Sequence, residues 1–103
     1  MELTSKQRAY LRSQANSIDP IFQIGKSSIT PEMTDGIREA IDKRELIKIA
    51  VLKNCFDDPY ELANIVAERT GAVVVQVMGK KITLFKQKKK DSAYTLPKQK
   101  NNS

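Results

Sequence analysis

The residues with most chemistry to offer form one short stretch, Gly25-Lys26-Ser27-Ser28, followed by Thr30-Pro31. It comes directly after the apolar run Pro20-Ile21-Phe22-Gln23-Ile24 and before residues at helical spacing, so it reads as a strand-to-helix loop. Such a loop sets backbone N–H groups beside the positive end of a helix dipole, which makes an anion site before side chains are counted. Lys26 adds a full charge, and Ser27, Ser28 and Thr30 add hydroxyl donors. Gly25 lets the backbone approach a phosphate with no Cβ in the way. The same residues also make an ordinary turn with a capping Thr, and local sequence leaves both readings open. Further cations that could join an anion site are Lys6, Arg8 and Arg12 near the N-terminus, Lys80 and Lys81 between two β-rich runs, and Lys86 and Lys88 beyond them. Each has a plain alternative as a solvated charge or a turn residue guarding a sheet edge.

Catalytic constellations are scarce. The 103 residues include no His, no Trp and a single Cys, so neither a Ser-His-Asp nor a Cys-His arrangement can be built. The usual zinc site and an intramolecular disulfide are excluded in the same way. Cys55 reads as a small buried hydrophobe, since nothing in sequence supplies it with a base. The adjacent Asp57-Asp58 is explained by capping and helix-dipole stabilisation. Gly25-Lys26-Ser27 lacks the preceding glycine of a phosphate-binding P-loop. We therefore expect no enzyme activity, no cofactor, no metal and no small-molecule substrate.

The elements that must position the loop can be read from periodicity and caps. Thr4 and Gln7 fit a capping box at the start of a helix over about 4–17, and Asp19-Pro20 stops it. Pro20 to Ile24 reads as a strand. Thr30 caps a helix over about 31–44 with Pro31 at its first position and Met33, Ile37, Ala40 and Ile41 on one face. Leu46 to Leu52 reads as a central strand. Asp58-Pro59 opens and Thr70-Gly71 closes a third helix, with Leu62, Ile65, Val66 and Arg69 as its inner stripe. Ala72 to Met78 and Ile82 to Phe85 form a hairpin around Gly79-Lys80-Lys81. The order α-β-α-β-α-β-β predicts an α/β fold: a single-domain sandwich with a four-stranded mixed sheet packed by helices. From Lys86 the chain is polar, and a mobile tail is expected from about residue 90, although Tyr94 and Leu96 could dock.

The formal charge is +6, from 18 Lys and Arg against 12 Asp and Glu. Residues 1–85 hold 12 basic and 11 acidic groups, so the body is nearly neutral and the last 18 residues carry the rest. Within that body the second and third helices collect Glu32, Asp35, Glu39, Asp42, Asp57, Asp58, Glu61 and Glu68. Positive charge is left to the first helix, the 25–28 loop, the hairpin and the tail, which suits a polyanion. The N-terminus lacks a signal-peptide core and no apolar run approaches the ~18–20 residues that span a bilayer, so a cytoplasmic protein without membrane association is expected.

Several linked motifs carry a resemblance. Pro20-Ile21-Phe22-Gln23-Ile24-Gly25-Lys26, Arg44-Glu45-Leu46-Ile47-Lys48, and Gly71 followed by Val75-Gln76-Val77-Met78-Gly79-Lys80 and Leu84-Phe85-Lys86 are similar, in order and interval, to the YhbY/CRM family of small RNA-binding proteins. The similarity runs over about residues 3–97. It implies a stand-alone bacterial member with one CRM-type RNA-binding domain, placed over 1–97, and the polar composition that follows predicts a disordered tail over 98–103. It also implies a fold like the C-terminal domain of bacterial translation initiation factor three, and association with rRNA of the precursor large ribosomal subunit in a ribosome-assembly role. The 25–28 loop then corresponds to the family's GxxG loop, comparable to the backbone clamp of KH domains. One position departs from that pattern, because Ser28 stands where the family has a second glycine. If that residue must take a positive φ, Ser does so at a cost of about 1 kcal/mol.

RNA binding by a monomer is the leading expectation. With three Phe and three Tyr, most expected in the core or tail, contacts should favour phosphates and 2′-hydroxyls over stacked bases. The alternative is a protein-interaction module that docks on a ribosomal protein or translation factor. Nuclease treatment of a lysate discriminates the two, since only a protein-mediated association survives it.

Overall fold

The computed structural model describes residues 2–98. Seven elements follow in the expected order: α1 (Ser5–Ala15), β1 (Pro20–Ile24), α2 (Pro31–Arg44), β2 (Leu46–Val51), α3 (Pro59–Thr70), β3 (Val73–Met78) and β4 (Lys81–Phe85). Local chemistry explains the ends. Thr4 and Gln7 form the capping box of α1, and Thr30 and Asp58 cap α2 and α3 ahead of a proline. Gly71 closes α3 in the left-handed conformation at φ 76°.

The four strands form one mixed sheet in the order β1-β2-β4-β3. β1 runs parallel to β2, while β4 is antiparallel to both β2 and β3. α2 and α3 cover one face, where Ile24, Ile47, Ile49, Val51, Ile82 and Leu84 meet Ile37, Ile41, Leu62 and Val66. α1 covers part of the other face over a smaller cluster of Leu11, Ala15, Leu46, Val75 and Phe85. The inner stripe of α3 differs from the sequence expectation: Leu62, Ala63, Val66, Ala67 and Thr70 are buried, whereas Ile65 and Arg69 lie outside. Small Ala63 and Ala67 let the helix sit close to the sheet, and that turns Ile65 to the rim.

Beyond β4 the chain is irregular but does not leave the body at residue 90. Tyr94 and Leu96 pack on the α1 cluster, the Tyr94 ring meeting Phe85 edge to face at 5.8 Å. The Gln7 amide donates to the Pro97 carbonyl at 2.9 Å. Glu45, only 1% exposed, holds this segment. Its carboxylate accepts from the Lys88 N–H at 2.9 Å, the Ala93 N–H at 2.7 Å and the Ser92 hydroxyl, while its backbone carbonyl accepts from the Lys86 N–H at 2.8 Å. Residues 99–103 of the expected tail lie outside the described residues.

Candidate nucleic-acid interface

The loop between β1 and α2 is closed by a bond from the Ser28 N–H to the Gly25 carbonyl at 2.9 Å. Ser28 takes φ 57°, the left-handed region that Gly adopts without penalty and Ser does not. The fourth residue of the loop, Ser28, thus stands in the left-handed conformation. Lys26 and Ser27 stand at the exposed tip, while Ser28 and Thr30 are half-buried at its base. Thr30 Oγ1 accepts from the Met33 N–H at 3.1 Å, so its lone pair caps the helix and its own proton stays available to a ligand. A Cβ on Gly25 would come within 3.4 Å of Asn54 Oδ1, which places the β2–α3 loop directly against this one.

Strand directions decide which cations join the loop. β1 and β2 are parallel, so their C-terminal ends lie together, and the Leu52 N–H donates to the Ile24 carbonyl at 2.8 Å. β4 is antiparallel to β2, so the hairpin turn comes to the same end, and the Val51 N–H donates to the Lys80 carbonyl at 2.7 Å. Lys26, Lys80 and Lys81 therefore share one end of the sheet with the exposed Lys53, which the sequence reading did not single out. The Lys53-Asn54 turn was its only signal, and a turn carries no information about which loop it faces.

Lys6, Arg8, Arg12, Lys86 and Lys88 lie at the opposite end. α1 packs on Leu46 where β2 starts, on Phe85 where β4 ends, and on Val75 in the first half of β3. A six-residue strand separates the two ends by about 17 Å. Arg8 is engaged there: its Nη1 donates to the carbonyls of Val74 at 2.6 Å and Val75 at 2.7 Å, where the β3–β4 register shifts. These bonds satisfy acceptors that the irregularity takes out of the ladder. Lys86 Nζ is paired with Asp42 at 2.7 Å. Lys6, Arg12 and Lys88 are exposed. The predicted cations thus split into two groups, and one of the α1 arginines is a strut for the edge strand.

On the far side of the Gly25–Ser28 loop the surroundings turn acidic. Ser28 and Ile29 line a shallow cleft with Asp57, Glu61, Leu62, Ile65 and Arg69 from α3 and the loop before it. Among titratable groups, Glu45 is held below the usual carboxylate range. Burial pushes it up, but bonds from the Ser92 hydroxyl and the Lys88 and Ala93 N–H groups, with the Lys88 charge, outweigh that. Tyr94 is pushed up by burial and by the negative charge of Glu45, with a smaller contribution from Tyr10. No group of three or more His, Cys, Asp or Glu among the described residues is arranged to hold a metal ion, and no described helix is long and apolar enough to cross a membrane.

The sequence profile of the CRS1/YhbY (CRM) domain matches residues 3–86. The chain belongs to this family. The CRM match takes in both loops and the hairpin at the cationic end and stops at Lys86, so the segment held by Glu45 lies beyond it. This CRM chain is 40% identical over 95 residues to the probable RNA-binding protein YqeI of Bacillus subtilis, covering 92% of this chain and 99% of that one. It is 32% identical over 101 residues to the probable RNA-binding protein MJ0652 of Methanocaldococcus jannaschii, covering 96% and 75%. The solution structure of the hypothetical protein SAV1595 from Staphylococcus aureus, described as a candidate RNA-binding protein, superposes with a TM-score of 0.80 at 47% identity. That superposition covers 93% of this chain and all of the other.

Proposed function

We propose that this CRM domain is a non-catalytic RNA-binding protein that engages RNA through the loop end of its sheet. The observation that carries the reading is the convergence there of the Gly25–Ser28 loop, the N-terminus of α2 and the side chains of Lys26, Lys53, Lys80 and Lys81. Backbone N–H groups and hydroxyls at a helix N-terminus suit one phosphate, and the lysines across the ends of β2 and β4 suit the neighbouring ones. The names of its relatives point the same way. Family resemblance further favours rRNA of the precursor large ribosomal subunit as the target, with the domain acting as a monomeric cytoplasmic assembly factor.

The test is Lys26→Ala. Lys26 is exposed and makes no contact that the fold needs, so the variant should keep its thermal stability. Its affinity for RNA should fall, and its salt dependence should flatten by about 0.7 in the slope of log K against log salt for an unpaired strand. A folded variant with unchanged affinity and slope would remove the loop from the reading. Crosslinking in cells with sequencing of the attached RNA tests the target: enrichment of large-subunit precursor rRNA supports the assembly role, and scattered mRNA refutes it.

A further inference from the structure

Phe56 is 94% exposed, while Cys55 beside it is 3% exposed. Its loop is nevertheless well held. The Cys55 N–H donates to the Leu52 carbonyl at 3.0 Å, the Cys55 thiol points to Asp57 Oδ2 at 3.9 Å, and Asp58 accepts from the Tyr60 N–H at 3.0 Å. A bound loop therefore presents a full aromatic face to solvent at a set place. That place adjoins the proposed phosphate clamp: Asn54 touches the space over Gly25, and Asp57 lines one cleft with Ser28. Phe56 lies between the two, its Cα within about 8 Å of each of theirs.

Charge divides the labour across this junction. Lys26 and Lys53 mark one side, whereas Asp57 and Glu61, with the single cation Arg69, line the cleft on the other. Carboxylates repel a phosphate but accept hydrogen bonds from base N–H groups, and a phenyl ring stacks on any base face. We propose that Phe56 is a base-stacking residue, receiving the base of a nucleotide whose backbone is held at Gly25–Ser28, with Asp57 available to base N–H donors. This rests on the RNA-binding reading of that loop and adds a ligand class to it. In a continuous duplex both faces of each base are covered, so the ligand is RNA with an unpaired nucleotide. It also adds a stacked base to the expectation that contacts favour phosphates and 2′-hydroxyls, because that expectation placed most aromatic residues in the core or tail.

The chain has no Trp, so Phe56→Trp introduces a single indole at the platform. Titration with an unpaired oligoribonucleotide of random sequence should quench its fluorescence, and a duplex of equal length should not. Phe56→Ala should weaken binding of the unpaired strand about five- to 150-fold, with the salt slope unchanged and duplex binding unaffected. Because the side chain is exposed, both variants should fold, which circular dichroism checks. If Phe56→Ala binds normally or the indole is not quenched, while Lys26→Ala still weakens binding, the stacking role is overturned and the clamp stands. If both alanine variants bind normally, the clamp falls with it.

Discussion

Replacing Glu45 by Gln tests how the segment after β4 is tied to the domain. The carboxylate accepts from two backbone N–H groups and one hydroxyl in a site 1% exposed. A Gln amide with its oxygen in the place of Oε2 keeps the Lys88 and Ser92 bonds, now to a neutral acceptor, and turns its NH2 toward the Ala93 N–H, itself a donor, so one bond is lost and two are weakened. One lost bond at about 1.5 kcal/mol and two weakened by about 0.75 kcal/mol each, the difference between a charged and a neutral acceptor, give a cost of about 3 kcal/mol. For a domain of this size that lowers Tm by roughly 12–24 °C. The cost should depend on pH. The carboxyl of folded Glu45 titrates below its unfolded counterpart, so the unfolded state takes up a proton first as pH falls. The stabilisation is complete above the unfolded value of ~4.3 and is lost as pH falls through the lower folded value. Thermal unfolding of wild type and variant, followed by circular dichroism from neutral pH to strong acid, should show a large gap that closes in acid. Hydrogen exchange at the Lys88 and Ala93 amides should quicken in the variant. A gap below about 1 kcal/mol, or one that is independent of pH, would refute the assignment of Glu45 as the anchor.

Other outcomes follow from single residues. Ser28→Gly removes the cost of a non-glycine residue at φ 57° and should raise stability by about 0.5–1 kcal/mol, read as a Tm increase of several degrees. A fall in Tm would mean that the Ser28 side chain contributes more than its backbone costs. Arg8→Ala leaves the Val74 and Val75 carbonyls without their guanidinium donor and should cost about 2 kcal/mol in chemical unfolding. The same variant should bind RNA with an unchanged salt slope, and a flattened slope would show that Arg8 contacts phosphate.

Much of the scaffold was legible because its punctuation is local. Thr30-Pro31, Asp58-Pro59 and Thr70-Gly71 mark helix ends through bonds and dihedrals that involve residues within one turn, and the structure places α2 and α3 accordingly. The strand-loop-helix unit around Gly25 was legible for the same reason. The facing of α3 was not, because both Ile65 and Ala63 are compatible with helical spacing and only the closeness of the sheet chooses between them.

By itself, then, the sequence determined the order of elements, the mixed four-stranded sheet and the place of the Gly25–Ser28 loop between strand and helix. Tertiary structure decided which cations belong with that loop. Parallel pairing of β1 with β2 and antiparallel pairing of β2 with β4 carry Lys53, Lys80 and Lys81 to it, and send Lys6, Arg12, Lys86 and Lys88 to the other end. It also spent Arg8 on a strand edge, closed the segment after β4 over Glu45, and left Phe56 uncovered. The physical reason is range: caps and turns are settled by neighbours within about four residues, whereas contact between distant charges depends on strand pairing that no local window contains.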